Sequence, residues 1–338
     1  MIVTSAGFGF TGSTAITDLI SEYEGVYTPK VPSYELGFFT HPNGIFNLYN
    51  YLINNNIPDL KYYAGMTYMK QCEIWAHSQT QMNYEIMFNN KFIEYSKEYI
   101  ESLGGDEFYI IHDWSDNTAV QRMLFRIINK LYTVTKKMRN HNGYGIQSIE
   151  PLTLFSAERK NYLYDVDDEK FVEKTKEYFR KLFGEIGMSQ VINLHGMVPI
   201  QQIDKCTRFF DDIKVIAIER DPRDIYLTAK NRWKTLDYPY EDIEFFCKYY
   251  KWLRANIAPI ENSKVMKLQF EDLVYRYEET KSKIEEFLNL NSVKHINKNT
   301  RFIPEKSSKG CNLKEAYPEE KDNIAVIENR LAEWLYDF

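Results

Sequence analysis

The sequence predicts an α/β fold with a mostly parallel central sheet flanked by helices, and three observations carry that prediction. A short apolar run, MIVTS, leads at once into the glycine-rich turn SAGFGFTGSTAI (5–16) and the helical pattern STAITDLISEY. A continuous apolar run, KVIAIE, ends abruptly in the charges of RDPRD, as a buried parallel strand does at its carboxyl end. A third unit, KVMKLQFEDL at 264–273, runs into a helix that closes at FLNL. Strands alternating with helices around a phosphate-type loop place the ligand crevice at the carboxyl ends of those strands.

The remaining elements follow in order. After the first helix, GVYTPK reads as a second short strand and PSYELGFF as a turn into aromatic packing. From 45 to 188 the pattern becomes helical, as in MNYEIMFNNKFIEYSKEYIESL and AVQRMLFRIINKLYTVTKKM, with breaks at GGD (104–106) and NGYG (142–145). Between them FYIIHDW fits a buried strand or a helix segment, since periodicity does not separate the two. Strand character returns with SQVINLH at 189–195. No repeat or low-complexity linker divides the chain, so 1–338 is expected to form one domain with a helical insertion at 45–188.

Composition narrows the class. The chain has 338 residues, 44% apolar and 15% aromatic, enough for a large core, and a net charge of −6 leaves no general basic surface for nucleic acid. No leader pattern opens it and no window offers the roughly 20 apolar residues that span a bilayer. Cys72, Cys206, Cys247 and Cys311 lie far apart without a C-x-x-C pair, which argues against a zinc site or a disulfide framework. A cytoplasmic protein that requires no metal is expected; its oligomeric state is left open.

Three stretches carry chemistry. In the opening loop, Gly7 and Gly12 have the spacing of a P-loop, yet Ser13 stands where its lysine would be. Gly9 and Gly12 allow close backbone approach, and Thr11, Ser13 and Thr14 add hydroxyls to the open amides of a helix start, a setting for a phosphate or sulfate oxyanion. A glycine-rich turn with a serine cap fits the same residues. In ERDPRDIYLTAKNRW, Arg220 ends an apolar strand and Thr228 follows eight residues later, so a bidentate guanidinium and a hydroxyl face one crevice. A solvated salt-bridge cluster of Arg220, Asp221, Arg223 and Asp224 is the plainer alternative. The third stretch, PEKSSKGCNLKEAYPE (304–319), is a cationic, donor-rich loop of a kind that is commonly just an exposed turn.

Taken together these stretches resemble the sulfotransferases that use 3′-phosphoadenosine 5′-phosphosulfate (PAPS). Phe10-Thr11-Gly12-Ser13-Thr14 is similar to the family's 5′-phosphosulfate loop, [KR]-[ST]-G-[ST]-[ST]. Arg220 and Thr228 match its 3′-phosphate motif, and Ser308-Lys309-Gly310 with Tyr317-Pro318 resembles the late loop that closes over the nucleotide. QFEDLVYRYEETKSKIEEFLNL is similar to its [YF]-E-D-L segment. The resemblance covers residues 1–40 and 189–320 and leaves the middle uncovered.

The resemblance implies sulfuryl transfer from PAPS to an acceptor hydroxyl or amine. It also exposes two departures: Phe10 replaces a basic residue, and Ala15 replaces the ring that stacks on adenine. Lys309, then Lys30, are the cations implied in compensation, and Trp233 or Phe302 the ring. For the base, one branch of the family points to Glu35 in SYELGFF and another to His195 in NLHGMVP. The acceptor is expected to be a small molecule or a carbohydrate, with Trp75, Trp114 and the tyrosines offering faces to sugars. An ATP-dependent P-loop kinase, which Ser13 disfavours, and a nucleotide- or sulfate-binding protein without catalysis are the alternatives.

Overall fold

The structure, a computed structural model, describes residues 1–29, 35–78, 83–110, 123, 124, 126–128, 130, 131, 159–187, 191–235 and 237–338. The chain opens with β1 (Ile2–Ala6), α1 (Ser13–Ile20) and β2 (Val26–Tyr27). The insertion supplies α2 (Ile45–Ile53), α3 (Pro58–Ala76), α4 (Tyr84–Met87), α5 (Phe92–Leu103), the strands β3 (Glu107–Ile110) and β4 (Arg159–Tyr162), and α6 (Asp168–Gly184). Then come β5 (Val191–Leu194), α7 (Ile203–Thr207), β6 (Ile213–Glu219), α8 (Pro222–Leu227), a π-helical turn (Thr228–Trp233) and α9 (Ile243–Ala255). The chain finishes with β7 (Val265–Gln269), α10 (Phe270–Tyr275), α11 (Tyr277–Leu288), α12 (Pro304–Ser307) and α13 (Lys321–Arg330).

Five strands form one sheet in the order β2-β5-β1-β6-β7, and every pairing in it is parallel. The expected α/β architecture is therefore present. From central β1 the chain first crosses to one side, returns to β5, and then crosses to β6 and β7 on the other side. The carboxyl ends of β5, β1 and β6 flank the resulting switch point, where open α/β sheets bind ligands.

Alternation along the strands explains their unbroken apolar runs. Ile213, Val215 and Ala217 of β6 face one core together with Ala6, Ile192 and Leu194, whereas Ile216 and Ile218 face another with Val3 and Val191. Both faces of the sheet are covered, so every second position must be apolar on each side. The insertion packs on the first face and merges with it: Phe38 meets Trp75 and Phe179 edge to face. Helices α1, α10 and α11 cover the second face.

Several expectations are corrected here. Trp75 is only 3% exposed and stacks on Tyr84, so it belongs to the core and offers no face to a sugar. Phe302, 2% exposed, packs in the second core and is closed to an adenine. Within FYIIHDW, residues up to Ile110 belong to β3, which pairs antiparallel with β4 outside the main sheet. The rest of that stretch, Trp114 included, lies outside the described residues, as does Lys30. Among the described residues no helix is long and apolar enough to cross a membrane.

One buried carboxylate anchors the segment that leads to the late loop. Glu22, fully buried after α1, accepts from the backbone amides of Asn299 (3.2 Å), Thr300 (3.0 Å), Arg301 (2.7 Å) and Phe302 (3.0 Å). Its Oε2 also lies 2.7 Å from His295 Nε2. Removing the carboxylate takes the acceptor from all four amides and leaves that of buried Phe302 unpaired. Glu22→Ala is expected to cost about 3–5 kcal/mol, the range for breaking a buried charged contact. A melting temperature within about 2 °C of the parent's would overturn that account.

Candidate active site

The opening loop is built by sterics. A side chain at Gly7 would collide with Thr11 Oγ1 and stand 2.9 Å from the Ile218 carbonyl; one at Gly12, whose φ is +99°, would collide with the Phe270 ring. Both positions therefore need glycine. Gly12 is the N-cap of α1, receives no side-chain cap, and no acidic residue occupies the first turn. The first amides of α1 are thus left to an anion or to solvent.

Within the loop the hydroxyls divide. Thr11 is buried and donates to the Phe8 carbonyl at 2.8 Å, so its hydroxyl serves the turn, contrary to its expected role as a donor to the anion. Ser13 and Thr14 open α1, and Thr14 Oγ1 lies 3.4 Å from His195 Nε2. Phe10 adopts a left-handed φ of 64°, uncommon for a bulky side chain, and its ring packs against Trp233 and Tyr238. Tyr238 donates its hydroxyl to the Gly9 carbonyl at 3.1 Å and so backs the loop from behind.

Arg220 unites the three distant stretches. It is 7% exposed at the end of β6; Nη1 donates to the Phe10 carbonyl at 2.7 Å, and Nη2 to Thr228 Oγ1 at 3.3 Å and to the Gly310 carbonyl. Its guanidinium also lies over the Phe270 ring at 5.1 Å. Buried Arg220 Nε has no hydrogen-bond partner among the described residues. Thr228 opens the π-helical turn, a distortion that recurs at functional sites. The predicted eight-residue spacing therefore brings arginine and hydroxyl together.

The other charges of RDPRD hold the frame rather than a solvated surface. Asp221 caps α8, pairs with Arg223 at 2.7 Å and accepts from Tyr336 N. Asp224 accepts from Asn312 N (2.9 Å) and Leu313 N (2.8 Å), which fixes the late loop against α8. Glu271 of the FED segment accepts from Asp221 N at 2.9 Å. Burial pushes Asp224 up to about 6 and Glu271 up to about 7, although Arg220 pulls both down. Asp224 and Glu271 were missed as site-shaping groups because their partners are backbone amides far away in the chain.

In the late loop Ser308 donates to the Glu305 carbonyl at 2.9 Å. Arg232 donates to the Lys309 carbonyl, and positions near Gly310 face both Arg220 and Arg232. The Lys309 side chain is exposed. Arg232, inside the quoted stretch but not singled out there, is thus a second cation at this loop.

Glu35 and His195 meet instead of standing as alternatives. They form an isolated parallel bridge beyond β2 and β5, and Glu35 Oε1 lies 3.5 Å from His195 Nδ1. Burial lowers the His195 imidazole below its ordinary 6.5, an effect the Glu35 carboxylate partly offsets. Burial thus favours the neutral ring. In the tautomer protonated at Nδ1, on the Glu35 side, Nε2 offers its lone pair toward Thr14. Among the described residues, no group of three or more His, Cys, Asp or Glu gathers to hold a metal.

An uncapped helix start, a buried arginine and a histidine thus stand at three adjacent strand ends of the parallel sheet. The profile of the sulfotransferase family matches residues 11–294, and the chain belongs to that family. The match runs through the insertion, which the motif resemblance left uncovered, and stops before the late loop. No curated protein matches the sequence. Among solved structures, the sulfotransferase domain from the Synechococcus PCC 7002 olefin synthase is similar at 11% identity and a TM-score of 0.39, over 100% of this chain and 95% of that one.

Proposed function

We propose that this sulfotransferase takes its sulfuryl group from PAPS and passes it to an acceptor hydroxyl or amine on a carbohydrate or glycolipid. The observation that carries the reading is the convergence of the opening loop, Thr228 and the late loop on one buried arginine. The uncapped amides of α1 and the orphaned Arg220 Nε fit a ligand with an anion at each end. Bound PAPS supplies a sulfuryl group whose bond to the 5′-phosphate breaks as the acceptor atom takes the sulfur.

The residues then have distinct tasks. Arg220 and Thr228 hold the 3′-phosphate, and the Ser308-Lys309-Gly310 loop closes over the nucleotide. Gly9, Phe10 and Gly12 lend backbone, and Ser13 and Thr14 lend hydroxyls, to the 5′ end. Lys309 faces the sulfuryl oxygens as their compensating cation. His195 Nε2 takes the acceptor proton, and Glu35 acts as a positioning residue through Nδ1. Trp233, 70% exposed, is the ring left for adenine once Phe302 is assigned to the core. The insertion forms one wall of the acceptor cleft, and four buried free cysteines accord with a cytoplasmic setting.

Equilibrium titration tests the donor. The 3′,5′-bisphosphate product is expected to bind at least about tenfold tighter than ATP, with no dependence on magnesium. Tighter, magnesium-dependent ATP binding would instead make this a kinase site.

A further inference from the structure

The π-helical turn carries two basic side chains, and an acid neutralises one of them. Lys230 Nζ pairs with Glu320 at 2.8 Å. Arg232 instead donates from Nη2 to the Lys309 carbonyl, and among the described residues no carboxylate accepts from it. Arg220 is in the same condition, since its acceptors are the carbonyls of Phe10 and Gly310 and the Thr228 hydroxyl. Nearby arginines meet acids: Arg223 pairs with Asp221 at 2.7 Å and Arg254 with Glu219 at 3.0 Å.

These two guanidiniums converge on Gly310. They donate to successive carbonyls of the late loop, and a Cβ placed on Gly310 would stand 3.4 Å from Arg220 Nη2 and 3.9 Å from Arg232 Nη1. Donors remain on both: Arg220 Nε is buried without a partner, and Arg232 spends Nη2 alone. Two positive charges this close together, with only neutral acceptors, raise the local potential and favour a doubly charged anion. A phosphate monoester carries nearly that charge at pH 7 and matches the planar forks, whereas a ribose hydroxyl carries none. We propose that Arg232 is a second ligand of the 3′-phosphate, and that with Arg220 it selects a 3′-phosphorylated donor over adenosine 5′-phosphosulfate, which has a 3′-hydroxyl there. This rests on the sulfuryl-transfer reading of the site and adds to it a residue that sets donor specificity.

The test is calorimetric titration of the full chain with the 3′,5′-bisphosphate, 3′-AMP and 5′-AMP. Arg232→Ala is expected to weaken the bisphosphate and 3′-AMP by about tenfold or more, the scale of one hydrogen bond to a charged group, and to leave 5′-AMP within about twofold. Arg232→Lys keeps the charge without the fork and should fall between the parent and the alanine variant. Arg232 is exposed, so neither change disturbs the core, and retained 5′-AMP binding reports an intact fold. Arg232 also ties down the late loop through the Lys309 carbonyl, and a role confined to that tether would weaken all three nucleotides alike. Such a uniform loss overturns the proposal, as does unchanged bisphosphate affinity in Arg232→Ala. Failure of the parent chain to bind the bisphosphate would instead strike at the sulfuryl-transfer reading, so the two failures are distinguishable.

Discussion

Arg220→Ala is expected to weaken binding of the 3′,5′-bisphosphate by roughly 30-fold to several-thousand-fold, the equivalent of about 2–5 kcal/mol for removing one partner of a buried charged contact. Arg220→Lys keeps the charge but loses the planar fork that spans Phe10, Thr228 and Gly310, so it should recover only part of the loss. A second readout separates this role from general damage. Asp224 and Glu271 have folded values raised to about 6 and about 7 by burial, so between roughly pH 4 and 7 the folded state binds more protons than the unfolded chain. These two groups therefore subtract stability as pH rises through that window. Arg220 lowers both values, and deleting it raises them further and deepens the loss. The gap in melting temperature between parent and Arg220→Ala should widen from pH 5 to pH 8. A constant gap, or unchanged bisphosphate affinity, would remove Arg220 from the centre of the site.

What was legible in the sequence was local. Strand, loop and helix at the N-terminus could be read because β1, the glycines and α1 are consecutive, and Arg220 with Thr228 because one short helix spans them. The Asn289 close of α11 was equally plain, since an asparagine with φ of 56° ends a helix where FLNL predicts it. Contacts between distant segments were not legible. Nothing local announces that Asp224 will hold Asn312 and Leu313, or that Glu22 will hold the amides of 299–302. Aromatic residues were the least readable, because Trp75 and Trp252 look alike in sequence while one is core and the other surface.

Phe10 shows how a departure from a motif acquires a physical meaning. A basic residue there would point its charge at the anion; the phenyl ring instead packs among Trp233 and Tyr238, on the side of the third core. Its left-handed backbone presents the carbonyl to Arg220, which brings a guanidinium up to the loop from behind. The strain of that conformation, of order 1–3 kcal/mol, is offset by a charged hydrogen bond at 2.7 Å. The loop thus exchanges a side-chain cation for a backbone tether.

His195→Ala is expected to lower turnover of labelled PAPS by about 10²–10⁴-fold, the span of general-base catalysis, while bisphosphate affinity stays within about threefold. The pH profile carries the mechanism. Only neutral His195 accepts a proton, and burial lowers its value, so the acid limb of the rate should fall below the ordinary 6.5. Glu35 raises that value, being negative and 3.5 Å from Nδ1. Glu35→Gln should therefore shift the limb to lower pH and reduce the plateau, because a weaker base removes the proton less readily. A structural role for the pair would reduce stability or binding without displacing the limb. If Glu35→Gln leaves the limb in place, or His195→Ala turns over within about threefold of the parent, the proton leaves by another route and the pairing of these two strand ends serves the fold alone.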